Sequence, residues 1–474
     1  MTASFLWYDL ETWGIDARYD RIAQFAAQRT DDQLNPLGPP DVVWFAPARD
    51  LLPQPFAALV TGLDPFDLER RGECESDAIG QVQALMAQAG TCSVGWNTLR
   101  FDDEFIRHTL FRNFLDPYVR EWAEGNSRWD LLDFARLAYA LRPEGVIWPQ
   151  HESGKVSFRL EHLAEANGVT HSAAHDARSD VEATLGMAQR LRAAQPKLWD
   201  YALGFRGKSW GQRWLVGSRE PVLHVSGRFP VERRCAALVL PLGPHPRATN
   251  QILVVDLRDD PSEWLGLSAE QLAERLFTRA SDGPRIPVKA VHLNRAPALV
   301  PMQHLRDEDF ERLQIDPGTC RAHAARLLQA ADLGERMRDA YRTEWPPPHD
   351  VDAALYDALP DRRDQGLHRQ IRASVPQELA QLSGRFQDPR GNELLWRYRA
   401  RNWPESLNAE EQADWHADVA ARLQDPDYPR SLQAFRASLD EARAVTATPD
   451  QIRLLDTLEE WSRVVMATVA PPTA

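Results

Sequence analysis

The stretch FLWYDLETWG, residues 5–14, is an apolar run that ends in two acids and a Trp-Gly turn. Its aliphatic and aromatic residues predict a β-strand. Asp9 and Glu11 are two residues apart, so on a strand their side chains point to the same face, roughly 7 Å apart. Two carboxylates on one face could hold a pair of hard cations. A solvated strand end has the same short pattern, so this motif alone leaves both interpretations open.

The residues up to about 195 alternate between strand-like and helix-like patterns. Further short runs rich in β-branched or aromatic residues are IAQFAAQ, DVVWFAP and TCSVGWN. Apolar residues recur at helical spacing around 78–89, 101–114, 129–141 and 176–194. Strands first and alternating helices afterwards predict an α/β domain with a mixed sheet. The proline of QPKLW follows the last of these helices and places the end of the first domain, 1–196.

The pattern changes after this boundary. Residues 197–345 hold short strands among many glycines and prolines, with one helix in SAEQLAERLF, which predicts a small β-barrel or sandwich. The linker that follows contains Pro346-Pro347-Pro348, since consecutive prolines continue neither a helix nor a sheet ladder. Long helical patterns beyond it, including EEQADWHADVAARL and DQIRLLDTLEEWSRVV, predict an all-α domain over 346–474.

The composition excludes several classes of protein. Hydrophobic residues make up 43% of the chain and charged residues 26%, which is typical of a soluble globular protein. No apolar run approaches the roughly 20 residues of a membrane helix, and the first residues lack the pattern of a signal peptide. The four cysteines are scattered without metal-ligand spacing and are expected to be reduced thiols. These features predict a cytoplasmic protein with no membrane partner.

The charge is distributed unevenly along the chain. The net charge of −14, taken alone, argues against a nucleic-acid partner, because neutralising phosphates requires clustered Lys and Arg. Residues 201–300, however, carry 14 Lys and Arg against 9 Asp and Glu. The middle of the chain could therefore bind phosphates, although the net charge of the whole chain is negative.

Two more groups of acids follow the first one. Asp102 and Asp103 stand at the predicted start of a helix, where one would serve as the N-cap and the other would be available for another role. The segment HDARSD opens the helix near 176, with Asp176 as a natural cap and Asp180 one turn inside. His175 would lie on the preceding loop and is suited to take a proton from water near neutral pH. A surface histidine beside acids gives the same local pattern.

Together these segments supply four acids and one histidine to a single α/β domain. Carboxylates suit Mg²⁺ or Mn²⁺, which prefer oxygen ligands. Two such ions roughly 4 Å apart can activate a water and stabilise both the attacking and the leaving oxygen of a phosphodiester. The histidine would deprotonate that water. The combination favours a metal-dependent phosphodiesterase over a coincidence of surface acids.

The order of these motifs resembles the DEDDh exonuclease superfamily: D-x-E, then an Asp after N-x-x-x-F, then H-x(4)-D. A closer resemblance, to the bacterial exodeoxyribonuclease I family, is carried by GWNTLRFDDEFIRHTLFRNFLDPY, NSRWDLLDFARLAYALRPEG, SFRLEHLAEANG, HSAAHDARSDVEAT and RYRARNWP. It runs from near residue 5 to about residue 405 and therefore covers all three regions.

The resemblance implies an RNase H-like nuclease domain, an SH3-like β-barrel and a C-terminal helical domain, curled into a clamp that gives processivity. It implies a monomeric 3′→5′ exonuclease that degrades single-stranded DNA to 5′-mononucleotides, in DNA repair and recombination. Two alternatives keep part of this interpretation. One is an exoribonuclease with the same active site that acts on RNA 3′ ends, and the other is a catalytically inactive scaffold that binds single-stranded DNA.

The resemblance also implies a role for individual residues. Asp9, Glu11 and Asp180 would be direct ligands of two Mg²⁺ ions, which Mn²⁺ can replace. Asp102 would complete the site through water, and His175 would be the general base. Two residues, Glu11 and Arg159, would touch the 3′-terminal nucleotide.

Further residues would bind DNA and a protein partner. The matching segments offer stacking surfaces and phosphate contacts at Arg107, Tyr118, Trp122, Arg128 and Arg136. The basic middle region adds Lys208, Arg213, Arg228, Arg233, Arg234 and Lys289, of which some would contact DNA. The family binds the acidic, phenylalanine-ended tail of single-stranded-DNA-binding protein, here at Arg142 and Tyr201. Trp122 could pack in the core instead of binding DNA, and core packing is favoured for Trp129. Arg142 could cap the C-terminus of its helix instead of binding the partner.

Overall fold

A computed structural model describes residues 4–171, 176–278, 283, 285–342, 350–357 and 362–470. Two features singled out in the sequence, His175 and the three consecutive prolines from Pro346, lie outside the described residues. Within the described ranges, no helix combines the length and the apolar character that crossing a membrane requires.

The first domain is built on a five-stranded sheet. Its strands are β1 (Ser4–Thr12), β2 (Ile22–Thr30), β3 (Asp41–Trp44), β4 (Thr91–Gly95) and β5 (Ser127–Asp130). They lie in the order β3-β2-β1-β4-β5. The pairs β1–β2 and β2–β3 are antiparallel, whereas β1–β4 and β4–β5 are parallel, so the predicted mixed sheet is confirmed. The stretch FLWYDLE forms the central strand, as its composition predicts.

Helices cover both faces of this sheet, because β1 is apolar on both sides. They are α1 (Pro55–Thr61), α2 (Pro65–Arg71), α3 (Glu75–Met86), α4 (Asp102–Arg112), α5 (Leu131–Leu141), α6 (Leu160–Ala166) and α7 (Ala177–Ala194). One core packs α3 and α4 against Leu6 and Tyr8, and another packs α5 and α7 against Phe5 and Trp7. Trp129 is 2% exposed in the second core, which confirms its prediction as a core residue.

The second region begins with α8 (Pro196–Leu203) and α9 (Lys208–Leu215) and continues as an antiparallel sheet, and this region is called the barrel below. Its strands are β6 (Val222–Val225), β7 (Ala236–Pro244), β8 (Gln251–Asp256), β9 (Val288–His292) and β10 (Ala298–Pro301), ordered β10-β6-β7-β8-β9. Its helices are α10 (Ala269–Phe277), α11 (Asp307–Leu313), α12 (Pro317–Gln329) and α13 (Leu333–Ala340).

The sequence predicts one helix in this region, at α10, whereas the structure also has α8 and α9 before the sheet and α11 to α13 after it. The sequence at the start of α12 does carry a local helix signal. Asp316 accepts hydrogen bonds from the backbone nitrogens of Gly318 and Thr319, and Pro317 occupies the first helical position. This combination is a typical helix start.

The third region is helical, as predicted. Its helices are α14 (Arg362–Ala373), α15 (Arg390–Asn402), α16 (Ala409–Gln424), α17 (Leu432–Val445) and α18 (Pro449–Thr468). The last three pack around Trp415, Phe435 and Trp461 together with Leu52 and Ala58 of the first domain. The helical domain therefore shares a core with the nuclease side of the molecule.

Candidate active site

Four acids from three elements meet at the carboxyl end of β1. Asp9 and Glu11 come from β1 and Asp180 from the first turn of α7, and ligand oxygens of these three lie within 4.8 Å of one another. Asp102, at the start of α4, accepts a hydrogen bond at Oδ1 from the backbone nitrogen of Leu10, 3.0 Å away. The acids that the sequence predicts as the metal site are thus brought together.

The turn between β4 and α4 explains how Asp102 reaches β1. Gly95 is required there, because a Cβ atom would lie 2.5 Å from the backbone oxygen of Tyr8 on the adjacent strand. Asp130, at the end of β5, accepts hydrogen bonds from the backbone nitrogens of Asn97 and Leu99. This carboxylate fixes the turn from which α4 starts.

The acids lie in a cleft of about 380 Å³ that also has an apolar wall. Ile15, Phe56 and Val60 line it, and these side chains are 82%, 44% and 54% exposed. Exposed apolar side chains beside carboxylates provide a surface for a flat, apolar group next to a charged one. A nucleotide has this combination of base and phosphate.

The acids raise one another's pKa. Burial, together with Asp180 and Asp102, raises the pKa of Glu11 to about 8. Burial also raises the pKa of Asp102 to about 8, and burial with the neighbouring carboxylates holds the pKa of Asp9 well above its usual value. A divalent cation would relieve this repulsion, and carboxylate oxygens are its preferred ligands. The donor set therefore fits Mg²⁺ or Mn²⁺.

We expect the stability of the protein in chelator to fall as the pH rises from about 4.5 to about 8. In this window Glu11 and Asp102 hold protons in the folded state and lose them on unfolding. The folded state then binds more protons, so the free energy of unfolding falls by about 1.4 kcal/mol per pH unit for each extra proton. Thermal unfolding in EDTA between these pH values measures the effect, and saturating Mg²⁺ should remove most of it. A transition temperature that rises across the window would contradict the assignment.

Asp102 and Asp103 have opposite environments, and neither is the N-cap that the sequence predicts. Phe101 occupies the N-cap position of α4, because the preceding turn carries the chain into the helix one residue earlier. Asp103 is fully buried and accepts hydrogen bonds from Arg120 at 2.7 Å, from the Tyr8 hydroxyl at 2.9 Å, and from Arg128. Asp103 therefore holds the structure, whereas Asp102 faces the cleft.

For Asp176 the predicted cap position, at the start of α7, is confirmed, but the capping hydrogen bond of its side chain is not formed. Its Oδ1 accepts instead from Nε2 of Gln24 on β2, at 3.0 Å, while Oε1 of Gln24 accepts from the backbone nitrogen of Ala177 at 3.3 Å. Gln24 caps the helix, and it thereby fixes α7, with Asp180, on the sheet.

His171 contacts the acid group, a contact that the sequence does not predict. Its Nε2 lies 2.5 Å from Oδ1 of Asp180. The signal that could have indicated it is a second histidine in HSAAHDARSD, four residues before His175.

The predicted DNA contacts fall into two groups. Arg107 and Arg128 are buried in ion pairs: Arg107 donates to Glu121 at 2.8 Å, and Arg128 pairs with Asp103 and, at 2.7 Å, with Glu121. Tyr118 is half-buried beneath the guanidinium of Arg107. These side chains form one connected network below the surface.

The remaining contacts are nearer the surface. Trp122 is 69% exposed, so the alternative of core packing is excluded for it. Arg136 donates to Asp133 at 3.1 Å and lies against Gly227 of the barrel, where a Cβ atom would be 2.7 Å from its guanidinium carbon. Arg159 is exposed at the start of α6 and pairs with Glu161.

Arg142 and Tyr201 both face the segment from His304 to Arg312. Arg142 pairs with Asp309 at 2.5 Å and also donates to the carbonyl of Leu141 at the end of α5, as the capping alternative expects. The hydroxyl of Tyr201 lies 3.2 Å from Nδ1 of His304. Tyr201 also lies edge-on to Phe205 and Trp210, so it belongs to an aromatic cluster, whereas Arg142 is held by a buried acid.

Comparisons with known proteins agree with this geometry. Family models match the chain as Exonuclease over residues 6–187, Exonuclease I SH3-like domain over 206–343, and Exonuclease I C-terminal domain over 349–465. Exodeoxyribonuclease I of Escherichia coli (strain K12) is 41% identical over 419 residues, which are 87% of this chain and 88% of that protein. Exodeoxyribonuclease I of Haemophilus influenzae is 36% identical over 465 residues, 96% of this chain and 97% of that protein.

Solved structures agree as well. The moderately thermophilic exonuclease I of Methylocaldum szegediense is 43% identical, with a TM-score of 0.92 over 98% of this chain and 100% of that one. Exonuclease I of E. coli with a dA16 oligonucleotide is 38% identical, with a TM-score of 0.93 over the same shares.

The mixed sheet and its clustered acids define an exonuclease that uses a divalent metal. The additional barrel and helical domain narrow this class, and the chain belongs to the exodeoxyribonuclease I family. The predicted family is confirmed, and so is the predicted fold class: an RNase H-like nuclease domain, an SH3-like domain and a C-terminal helical domain.

Proposed function

We propose that this exonuclease removes 5′-mononucleotides from the 3′ end of single-stranded DNA, processively, by hydrolysis that depends on two Mg²⁺ ions. The observation that carries the proposal is the group of four acids beside an exposed apolar wall. Solved structures of E. coli exonuclease I contain dA16 and dT13 oligonucleotides, and its single-stranded-DNA complex also exists in a zinc-bound form. We propose domain boundaries near 196 and 345, and a monomer acting in DNA repair.

The four acids would have two different roles towards the metal ions. Asp9, Glu11 and Asp180 would bind the ions directly, and Asp102 would act through water. When bound, the ions would supply the activation of water and the stabilisation of charge on the phosphate. Glu11 and Arg159 would hold the 3′-terminal nucleotide, and the apolar wall would contact its base.

His175 is proposed as the general base that takes the proton of the attacking water. Replacing His175 by Ala should slow the chemical step by roughly 10²–10⁴-fold, the usual contribution of a general base. Single-turnover rates at saturating DNA measure this step. His162→Ala, on α6, is the matched control and should leave the rate unchanged. An effect of His175→Ala confined to KM would mean that the residue only contacts substrate.

The surface around the site suits a single strand. The exposed ring of Trp122 offers a stacking platform for a base, which needs no sequence preference. We propose that Tyr118 and Arg136 line the same path, and that Arg107 and Arg128 act mainly through the buried network that supports it. Exposed basic residues of the barrel, including Lys208 and Arg228, would contact phosphates, whereas the Lys289 ammonium donates to Ser226 inside the sheet.

A partner surface is proposed at Arg142 and Tyr201. An acidic peptide that ends in an aromatic residue would find cations at Arg142, Arg306 and Arg312 and an aromatic surface at Tyr201. One solved structure, 37% identical to this chain, is of SSB/exonuclease I with an inhibitor, where SSB is single-stranded-DNA-binding protein. The tail of that binding protein is the occupant we propose.

The test of the function is a cleavage assay with 5′-labelled oligonucleotides, with and without Mg²⁺. We expect stepwise shortening from the 3′ end on single-stranded DNA only, and only with metal. Equal shortening of the matched RNA would overturn the assigned substrate and favour the exoribonuclease alternative. Tight DNA binding without cleavage would overturn the enzymatic proposal.

A further inference from the structure

Glu104, in the first turn of α4, accepts hydrogen bonds from three parts of the chain. Arg107, one turn further along α4, donates from Nη1 to Oε1 at 2.8 Å. Arg295, in the loop between β9 and β10, donates from Nη2 to the same oxygen at 2.8 Å. The hydroxyl of Tyr356, at the end of a 3₁₀ turn in the third region, donates to Oε2. One carboxylate therefore joins the nuclease domain, the barrel and the helical domain.

Other contacts attach each outer domain separately. The barrel is also held by Arg234, which donates to the carbonyl of Tyr139 at 2.9 Å. The helical domain is also held by Arg430, which pairs with Asp20 of the nuclease domain. Within the described ranges, Glu104 is the side chain that accepts hydrogen bonds from all three domains. It therefore fixes the distance between the barrel loop and the turn that ends at Tyr356.

The position of Glu104 relates this contact to the active site. Glu104 and Tyr356 line a cleft of about 710 Å³. Phe56 and Phe101 line both this cleft and the one that holds the four acids, so the two clefts adjoin. A free carboxylate on this wall would repel a phosphate backbone, and its three donors offset that charge.

We propose that Glu104, with Arg295 and Tyr356, is a clasp that keeps the barrel and the helical domain closed beside the cleft, so that the DNA strand stays bound between cleavages. The inference rests on the proposed function, since it concerns retention of that substrate. Glu104 is a positioning residue: it acts on the strand through the two domains that it joins. Arg107 keeps its pairing with Glu121 when the clasp opens, so the buried network is preserved.

The test measures how many nucleotides are released per binding event, with unlabelled DNA as a trap for dissociated enzyme. Tyr356→Phe removes one hydroxyl donor, Arg295→Gln removes one cation, and Glu104→Gln removes the charge of the acceptor. We expect each variant to release about tenfold fewer nucleotides per binding event, the factor that corresponds to losing one hydrogen bond to a charged group. The rate of the first cleavage on pre-bound DNA should stay unchanged.

The matched control is Arg326→Gln, which breaks a surface pair with Asp260 inside the second region, at 2.9 Å, and should leave the count unchanged. The combination of Tyr356→Phe with Glu104→Ala should be no worse than Glu104→Ala alone, because alanine leaves the Tyr356 hydroxyl no side-chain partner at position 104. Additive losses would mean that Tyr356 binds DNA itself and would overturn the clasp. Variants as processive as the parent would also overturn it, whereas a parent that cleaves no DNA would overturn the proposed function instead.

Discussion

Replacing Asp9 by alanine should reduce cleavage of single-stranded DNA by at least about 10³-fold, because the loss of a metal ligand removes several kcal/mol of transition-state stabilisation. Asp9 is one of the three acids whose ligand oxygens lie within 4.8 Å of one another. Burial and the charges of Asp102 and Glu11 raise its pKa well above the usual value. Steady-state rates at saturating Mg²⁺ measure the effect.

DNA binding should survive the same substitution, since the proposed contacts at Trp122 and in the barrel are untouched. Fluorescence anisotropy of a labelled oligonucleotide in chelator tests this expectation. Asp41→Ala, an exposed acid on β3 of the same sheet, is the matched control and should cleave normally. Turnover of Asp9→Ala close to that of the parent would reject the metal assignment, and a joint loss of binding would show that Asp9 shapes the DNA site.

Much of the nuclease domain follows from local sequence because its decisive signals are local. Apolar composition predicts the strand at FLWYDLE, and the spacing of apolar residues predicts the helices near 101–114 and 176–194. That Asp9, Asp102 and Asp180 come together could also be predicted. Asp9 lies near the end of a strand, and the other two lie in the first turns of helices of the same domain. Their mutual pKa shifts follow from that convergence and from burial.

The remainder depends on partners that are distant in the sequence. Gln24 caps α7 from another strand, 153 residues away from Ala177, and nothing local indicates this. Arg107 and Arg128 look like surface cations for DNA until Glu121 and Asp103 are placed against them. A charged residue can be expected on the surface only when the fold places no opposite charge against it. The tertiary structure decides which charges pair in this way.

Asp102 and Asp103 give the sharpest case, and their asparagine variants should behave in opposite ways. Asp102→Asn should abolish most cleavage while raising the stability of the metal-free protein at pH 8. Its carboxyl is buried among acids, with a pKa raised to about 8, so removing the charge relieves repulsion. The hydrogen bond from Leu10 to Oδ1 can persist with an amide oxygen.

Asp103→Asn should instead lower the free energy of unfolding by about 3–5 kcal/mol, because Arg120 and Arg128 lose a fully buried counter-charge and share only Glu121 among the described acids, at 3.8 and 2.7 Å. Burial alone would raise the pKa of Asp103, but Arg128 and Arg120 outweigh it and hold that pKa well below its usual range. Urea denaturation of both variants in EDTA at pH 8, with parallel cleavage assays, measures the contrast. Equal destabilisation of the two would mean that both acids serve the fold. A stable but inactive Asp103→Asn variant would mean that Asp103, and not Asp102, takes part in the metal site.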